Sequence, residues 1–486
     1  MKQHKHTQMI RHLFLALVLL WGATITATGQ SATARMAKDH HPNFVFILVD
    51  DMGWTSLSSA MDDRRADSRS TYYETPHLDW IGDHGIRFTN GYAPAALCTP
   101  SRRSIQFGQT PIHTGDGNFA RDYNPLDHDW LTIPHLLKSI DPAYRTAHYG
   151  KWDLRAGFSP EDLGYDESDG DTGNDNGDRM TDRKTKWTQA YITKDPKRTT
   201  SITRRAVNFM QRQVRSGHPF YLQVSYYATH VDMETLPDTY QKFVRKPKGK
   251  IHDNAAWAGM QADMDKGIGD LVAMLDSLRI RDNTYVIVMA DNGGVEAFPP
   301  PSGAGKLDPP SALPKLPYNY PLRGGKWVLY EGGIRVPFMV MGPGVPQHVY
   351  SHVPVMGEDI LPTVAALAKD TKPLPSYLDG GNFATLFKNP ESGVVVRSRK
   401  DFYFHRFEKS YEHSAILEGN YKLIIRWREH TTELYDLSKD LGEIHDLSRT
   451  MPDVTARLRK KLVDYLVANH IDTSAAPKKT PGKKKK

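Results

Sequence analysis

The chain has 486 residues, 39% hydrophobic and 10% aromatic, with one cysteine, Cys98. That supplies a large core, and a lone cysteine excludes a disulfide scaffold, a zinc ribbon and an iron–sulfur protein, each of which needs several thiols. The formal charge of +7 lies at the termini: Lys2, Lys5 and Arg11 at one end and Lys478, Lys479 and Lys483 to Lys486 at the other, and without those nine cations the body stands near −2. No nucleic-acid partner is expected.

The N-terminus has the parts of an export signal: basic residues, the apolar run Leu13 to Trp21 and small residues at Ala27-Thr28-Gly29, so residues 1–29 are assigned to a cleaved signal peptide. The run is shorter than the ~18 apolar residues of a membrane span, and no cysteine follows it to carry a lipid. The mature protein is expected to be exported, periplasmic or secreted, without a stable membrane anchor. Asn43 to Val49 (NFVFILV) is continuously apolar, as in a strand buried on both faces, and ends in Asp50-Asp51. Phe220 to Tyr227 runs up to His230, and Thr284 to Ala290 (TYVIVMA) ends in Asp291-Asn292-Gly293-Gly294. Helical patterns lie between these strands, notably Ala255 to Leu278. The alternation predicts an α/β fold, a large mixed sheet sandwiched by helices, with ligands gathered beyond the carboxyl ends of the strands.

Asp166 to Asp182, acidic and Gly-rich without EF-hand spacing, and the Pro-rich Phe298 to Leu322 are predicted surface loops. After about Lys369 the character changes. Short strands are expected at Phe402 to Phe404, Ala415 to Leu417 and Tyr421 to Trp427, and Glu433 to Asp436 precedes a terminal helix near Pro452 to Asn469. The expected organisation is a catalytic domain over 40–369, a C-terminal subdomain over 370–470 with an antiparallel sheet and a helix, and a disordered basic tail over 471–486.

Two pairs of oxygen-bearing side chains at strand ends, Asp50 with Asp51 and Asp291 with Asn292, suit a hard cation such as Ca²⁺ or Mg²⁺. One such pair alone is more often a turn or a cap. Cys98 opens a helix predicted to run through Phe107 and stop at Gly108. A helix start offers unpaired N–H groups and the positive end of the dipole, and Arg102 lies one turn along, which makes an anion site near position 98. A lone cysteine is otherwise a small core residue.

Cys98-Thr99-Pro100-Ser101-Arg102 matches the C-x-P-S-R signature of the formylglycine-dependent sulfatases, in the alkaline phosphatase superfamily. The chain resembles that family in order along its length, at Pro42 to Gly53 (PNFVFILVDDMG), Gly150-Lys151-Trp152, Ala290 to Gly294 (ADNGG) and Leu322 to Phe338 (LRGGKWVLYEGGIRVPF). The resemblance implies an alkaline phosphatase-like fold and a sulfuric ester hydrolase. It implies that a maturation enzyme oxidises Cys98 to formylglycine. One hydroxyl of its hydrate attacks sulfur, the alcohol leaves, and the second hydroxyl then drives sulfate out. It also implies Ca²⁺, ahead of Mg²⁺, held by Asp50, Asp51, Asp291 and Asn292 beside position 98. Arg102 steadies the nucleophile, and Lys151 and Lys326 neutralise sulfate oxygens. His230, alone or with Lys326, protonates the leaving alcohol. Lys151, His230 and Lys326 thus form the substrate-binding set.

Two positions depart from the family pattern. Thr229-His230-Val231 lacks the prolines often found around that histidine. Gly150-Lys151-Trp152-Asp153 has an aspartate where the family commonly has histidine, and Asp153 is expected to take over the base role in sulfate elimination, with His148 as the alternative. The expected substrate is a sulfated carbohydrate or polysaccharide, with His113, Arg103, His405 and Arg406 as candidate sugar contacts. Two alternatives stand beside this: a phosphodiesterase or phosphonate hydrolase on the same scaffold, and a non-catalytic carbohydrate-binding relative.

Overall fold

A computed structural model of the protein describes residues 41–114, 130–174 except 156 and 158, 190–296 except 193 and 232, 316–406, and 412–473 except 472. The expected signal peptide, the lysine tail, residues 175–182 of the acidic loop and residues 298–315 of the Pro-rich loop lie outside the described residues. The chain divides after Pro42, and every element named here belongs to the second unit.

The main sheet is built from β1 (Asn43–Val49), β2 (Ile86–Phe88), β3 (Arg145–Gly150), β4 (Glu167–Ser168), β5 (Phe220–Tyr226), β6 (Thr284–Ala290), β7 (Phe338–Met341) and β8 (Val349–Ser351). Their order is β8-β2-β7-β6-β1-β5-β3-β4. β1 runs parallel to β5 and β6 at its two sides, whereas β7 is antiparallel to both β6 and β2, so the sheet is mixed. Phe44 to Val49 are at most 1% exposed. Because successive side chains point to opposite faces, both faces of β1 are covered. Each large apolar side chain buried there contributes roughly 1.5–3 kcal/mol.

Four helices matter most to the site: α1 (Pro76–Asp83), α2 (Cys98–Phe107), α3 (Thr199–Ser216) and α4 (Ala255–Ser277). α3 packs on β5 and β3, and α4 packs on α3 and α1. α4 is started by Asn254, whose side chain accepts the Trp257 N–H at 3.0 Å. α2 ends at Gly108, which takes the left-handed conformation (φ 61°) that a side chain would disfavour.

The acidic segment after Tyr165 is not all loop. Glu167 and Ser168 form the edge strand β4, paired with Ala147 and His148. Its acids cap neighbouring backbone: Asp166 accepts the Thr146 N–H at 2.7 Å and Asp169 the Gly150 N–H at 2.8 Å. A short polar edge strand carries no apolar alternation, which is why the sequence pattern reads as a loop.

A separate antiparallel sheet follows, β9 (Phe402–Arg406), β10 (His413–Glu418), β11 (Tyr421–Arg426) and β12 (Thr431–Asp436), in chain order. β12 includes the Glu433 to Asp436 segment, which is a fourth strand rather than a lead-in to the helix. Alternation sorts the two faces. Phe402, Phe404, Ala415, Leu417, Ile424 and Tyr435 pack on Tyr92, Ala96, Leu329, Tyr330 and Ile334. Ile416, Leu423, Ile425 and Leu434 lie under Leu458, Leu462 and Leu466 of α5 (Pro452–Ala468), a stripe at helical spacing. The first face therefore leans on the segments that flank Cys98 and Lys326.

One buried acid makes stability pH-dependent. Glu358 is 2% exposed and its Oε2 accepts no hydrogen bond. Burial first, and Asp359 second, push its carboxyl up to about 8. A carboxyl raised in the folded state stabilises the protein fully below its ordinary value, and that contribution is lost as pH rises through 8. Unfolding free energy measured by denaturant titration is expected to fall between pH 5 and 8. Glu358→Gln should flatten that slope.

Candidate active site

The site forms where three strands of the sheet end. Asp50 and Asp51 follow β1, and Asp291 and Asn292 follow β6; all four are 0% exposed. Backbone bonds lock the ends together. The Asp291 N–H donates to Val49 O at 3.0 Å, and the Asp51 N–H donates to Asp291 Oδ1 at 3.1 Å. Thr229, beyond β5, donates its N–H and its hydroxyl to the Asp50 carbonyl at 2.6 and 3.1 Å.

α2 points its first residue at this cluster. Cys98 Sγ lies 3.9 Å from Asp51 Oδ1. Ser101 fastens the preceding loop, with its hydroxyl donating to the Ala95 carbonyl and accepting the Ala95 N–H, both at 3.0 Å. Arg102, one turn along, gives Nε to Asp291 Oδ2 at 2.8 Å and NH1 to the Lys151 carbonyl at 2.5 Å. Burial pushes the Cys98 thiol well above its ordinary value, with Lys151 and Lys326 only partly opposing it. As cysteine it remains a protonated thiol, a poor nucleophile.

Two lysines arrive from distant segments. β3 ends at Gly150, whose φ of 99° and contact with Ser225 exclude a side chain, since a Cβ there would sit 2.0 Å from the Ser225 carbonyl oxygen. The chain then turns, the Lys151 N–H donates to Ser225 O at 2.8 Å, and Lys151 Nζ reaches Asp50 Oδ2 at 2.6 Å. Lys326 is anchored through its N–H to Gly294 O at 2.9 Å, and Trp327 N–H to Ala96 O at 2.9 Å, so this loop abuts the one that carries Cys98. Its Nζ reaches Asp51 Oδ2 at 2.6 Å.

The electrostatics identify what the cluster accommodates. Burial, and then Asp50, raise Asp291 to about 7; burial also raises Asp51. Burial works on Asp50 in the same sense, but Lys151 and further cations outweigh it and hold that carboxyl low. Asp50 Oδ1 and Asn292 Oδ1 are buried and accept no hydrogen bond. Asp50, Asp51 and position 98 place ligand atoms within 4.8 Å of one another. Orphaned oxygens among crowded carboxylates fit a hard, oxygen-seeking cation. Three carboxylates already face Arg102, Lys151 and Lys326, so a divalent ion leaves the site net positive and complementary to an anion.

His230 stands at the rim, 17% exposed, with Nε2 3.8 Å from Asp51 Oδ2. Nδ1 meets the Val231 carbonyl at 2.5 Å, which fixes the proton on Nδ1 in the neutral ring and turns Nε2 toward the site. Asp153 Oδ2 lies 3.5 Å from Lys151 Nζ, and its Oδ1 accepts Arg155 Nε at 2.9 Å. Burial would raise its carboxyl, but Lys151, Arg155 and Arg102 together hold it low. Arg155, which screens Asp153, carried no sequence signal. His148 points elsewhere. It meets Ser225 Oγ at 3.0 Å and the Trp152 ring edge-on, and burial lowers it to about 3.

Three of the candidate sugar contacts, Arg103, His113 and His405, are engaged by protein groups. Arg103 is buried and gives Nε and NH2 to the Leu154 carbonyl. His113 Nδ1 meets Asp379 Oδ2 at 2.6 Å beyond the far end of α2. His405 and Arg406 are buried on β9, with His405 Nδ1 2.8 Å from Ser414 Oγ.

A mixed α/β sheet with this cluster at its strand ends defines a hydrolase of anionic esters, and the comparisons with known proteins name the class. Residues 42–371 match the Sulfatase family model, and residues 325–468 match the model described as N-sulphoglucosamine sulphohydrolase, C-terminal. The chain belongs to the sulfatase family and is a sulfuric ester hydrolase. It is 26% identical to a sulfatase of Formosa agariphila, over 94% of both chains. It is 29% identical to human N-acetylgalactosamine-6-sulfatase, over 70% of this chain and 65% of that one, and 26% identical to an ulvan-active sulfatase of Formosa agariphila, over 72% and 66%. Its fold is that of Ps i-CgsB, solved in complex with k-i-k-neocarrahexaose (TM-score 0.70, 24% identity, 89% of this chain and 94% of that one). It is also that of the PsFucS1 sulfatase from Pseudoalteromonas sp. (TM-score 0.65, 21% identity, 90% and 92%).

Proposed function

We propose that the protein is an exported sulfatase that removes sulfate from a sulfated carbohydrate, using formylglycine made from Cys98 and a bound Ca²⁺. The observation that carries this is the pair of orphaned oxygens, Asp50 Oδ1 and Asn292 Oδ1, beside Cys98 within a ring of three buried cations. The carbohydrate follows from the relatives, which are named for N-acetylgalactosamine 6-sulfate and ulvan.

Asp50, Asp51, Asp291 and Asn292 would hold the cation, which supplies charge stabilisation to a sulfate oxygen. Formylglycine supplies a carbonyl hydrate as nucleophile. The remaining work falls to the chain's own side chains. Arg102, clamped by Asp291 and the Lys151 carbonyl, keeps position 98 facing the sulfur. Lys151 and Lys326 bind the sulfate oxygens from two sides, already desolvated and oriented. His230, with Nδ1–H given to the Val231 carbonyl, presents Nε2 to carry a proton to the leaving alcohol oxygen.

Asp153 is proposed to promote sulfate release through Lys151. It lies next to the lysine that faces Asp50 and, kept ionised by Lys151, Arg155 and Arg102, would accept by way of Lys151 the proton that the second hydroxyl of the hydrate loses as sulfate departs. Asp153→Asn is expected to lower kcat by roughly 10²-fold and to accumulate sulfated protein, visible by intact-protein mass spectrometry. Wild-type turnover with no sulfated protein would remove Asp153 from the reaction.

The proposal is tested by co-expression with a maturation enzyme. Position 98 should then react with a hydrazide probe, and the matured protein should hydrolyse an aryl sulfate faster than an aryl phosphate diester and lose that activity to a calcium chelator. A persistent thiol at position 98 would overturn the reading, and a preference for the diester would favour the phosphodiesterase alternative.

A further inference from the structure

The turn that carries Lys151 is held from two sides. On the inner side, the Lys151 N–H donates to Ser225 O at 2.8 Å and the Lys151 carbonyl accepts Arg102 NH1 at 2.5 Å. On the outer side, the partners come from the acidic segment after Tyr165. The Gly150 N–H donates to Asp169 Oδ2 at 2.8 Å. Three further bonds go to one residue, Thr172. Its hydroxyl donates to the Gly150 carbonyl at 2.6 Å and accepts the Trp152 N–H at 3.0 Å, and its carbonyl accepts the Asp153 N–H at 2.6 Å.

Thr172 thus fixes the chain immediately before and immediately after the lysine. A hydroxyl suits this task because it carries a proton to give and lone pairs to accept with, and Thr172 uses both. The turn needs such support. β3 has ended at Gly150, no helix or strand follows at once, and Asp153 stands in the left-handed region at φ 55°, which costs an L-residue more than the right-handed one. The lysine also has little room for error. Its Nζ lies 2.6 Å from Asp50 Oδ2 and 3.5 Å from Asp153 Oδ2, and Thr172 secures the backbone of both Lys151 and Asp153. A displacement of about 1 Å at such a group costs roughly 10²-fold in rate.

We infer that Thr172 is a positioning residue for sulfate ester hydrolysis, acting through the Gly150–Asp153 turn to keep the Lys151 ammonium between Asp50 and Asp153. This rests on the role given to Lys151 above. A segment whose composition reads as a solvated acidic loop then serves as the outer clamp of the active site, and its contribution lies in one hydroxyl rather than in its charges.

The test is the turnover of an aryl sulfate by matured variants. Thr172→Val keeps the branched shape and the carbonyl bond to Asp153 and removes only the hydroxyl. Its kcat should fall by at least about 10-fold, whereas Thr172→Ser, which retains the hydroxyl, should stay within about threefold of the wild type. A double-mutant cycle with Lys151→Ala separates positioning from a general structural role. With the ammonium gone there is nothing left to position, so adding Thr172→Val should cost less than about threefold more. A larger further loss overturns the assignment, as does a smaller fall in Thr172→Val alone or a serine variant as slow as the valine one. Denaturant unfolding of the same samples shows that the rates belong to folded protein. Thr172→Ala replaces the valine variant if that one does not fold, and failure of both to fold assigns Thr172 to folding and overturns the inference. Failure of the Lys151 reading is seen separately, as wild-type kcat in Lys151→Ala.

Discussion

Lys151→Ala is expected to lower kcat toward an aryl sulfate by roughly 10²–10³-fold, the loss found when one preorganised donor is removed from a site where charge develops. Lys151 is 0% exposed, its Nζ sits 2.6 Å from Asp50 Oδ2, and its backbone is pinned to Ser225. Its charge therefore costs no reorganisation at the moment of transfer. Removing it also takes from Asp50 its nearest cation, leaving Arg102 NH2 at 3.9 Å and the more distant influence of Lys326. Breaking a buried ion pair by removing one partner destabilises by about 3–5 kcal/mol. Denaturant unfolding of the same samples separates the two effects, because the catalytic loss should persist under conditions where the variant is fully folded. Lys151→Arg should rescue little, since the planar guanidinium does not fit a slot closed around an ammonium.

Lys422→Met is expected to lower folding stability by about 3–5 kcal/mol, although it lies in the small sheet far along the chain from every catalytic motif. Lys422 Nζ bridges Glu331 Oε1 at 2.9 Å and Glu443 Oε1 at 2.8 Å, and all three side chains are 0% exposed. Glu331 also receives Arg335 Nε at 2.6 Å and the Tyr92 hydroxyl at 3.1 Å, and Glu443 Oε2 accepts the Glu331 N–H at 2.6 Å. Without the lysine, two carboxylates face each other in one dry pocket. Burial raises Glu443 to about 7, while Lys422 and Arg335 outweigh burial at Glu331 and hold it at about 2. Adding Glu443→Gln to Lys422→Met should recover at least about 1 kcal/mol, because neighbouring charges are not additive. A simple sum of the two single losses in the denaturation data would dissolve the network argument. Since Glu331 opens the short Glu331–Ile334 helix just beyond Lys326, the same variant should also raise KM.

The strands that end at the site are legible because they are extreme. Asn43 to Val49 and Thr284 to Ala290 are apolar without interruption, and only a sheet covered on both faces uses such runs. α2 and its stop at Gly108 are legible for a local reason, a glycine where the backbone must turn left-handed. Six strands carry no prediction: β2, β3, β7 and β8 of the main sheet, whose partners lie far along the chain, the short polar β4 beside β3, and β12, whose polar start hides a hairpin partner of β11. Asp166 and Asp169 look like solvated loop acids until β3 lies alongside and offers its N–H groups.

For the site, the sequence by itself determined the chemical inventory: the single cysteine at a helix start, the acid pairs closing two apolar strands, and the lysines of Gly150-Lys151-Trp152 and Leu322 to Phe338. These are contiguous signals, readable within a few residues. Only the tertiary structure decided how those groups are paired and which remain unpaired. Lys151 meets Asp50 across 101 positions and Lys326 meets Asp51 across 275. Asp153 is turned toward Lys151 and Arg155, His148 is withdrawn against Trp152, and Asp50 Oδ1 and Asn292 Oδ1 are left without a hydrogen bond. Burial and Coulomb energy depend on distance in space, so which lysine neutralises which acid, and which oxygens are left over, is set by the fold, and nothing local in the chain distinguishes them.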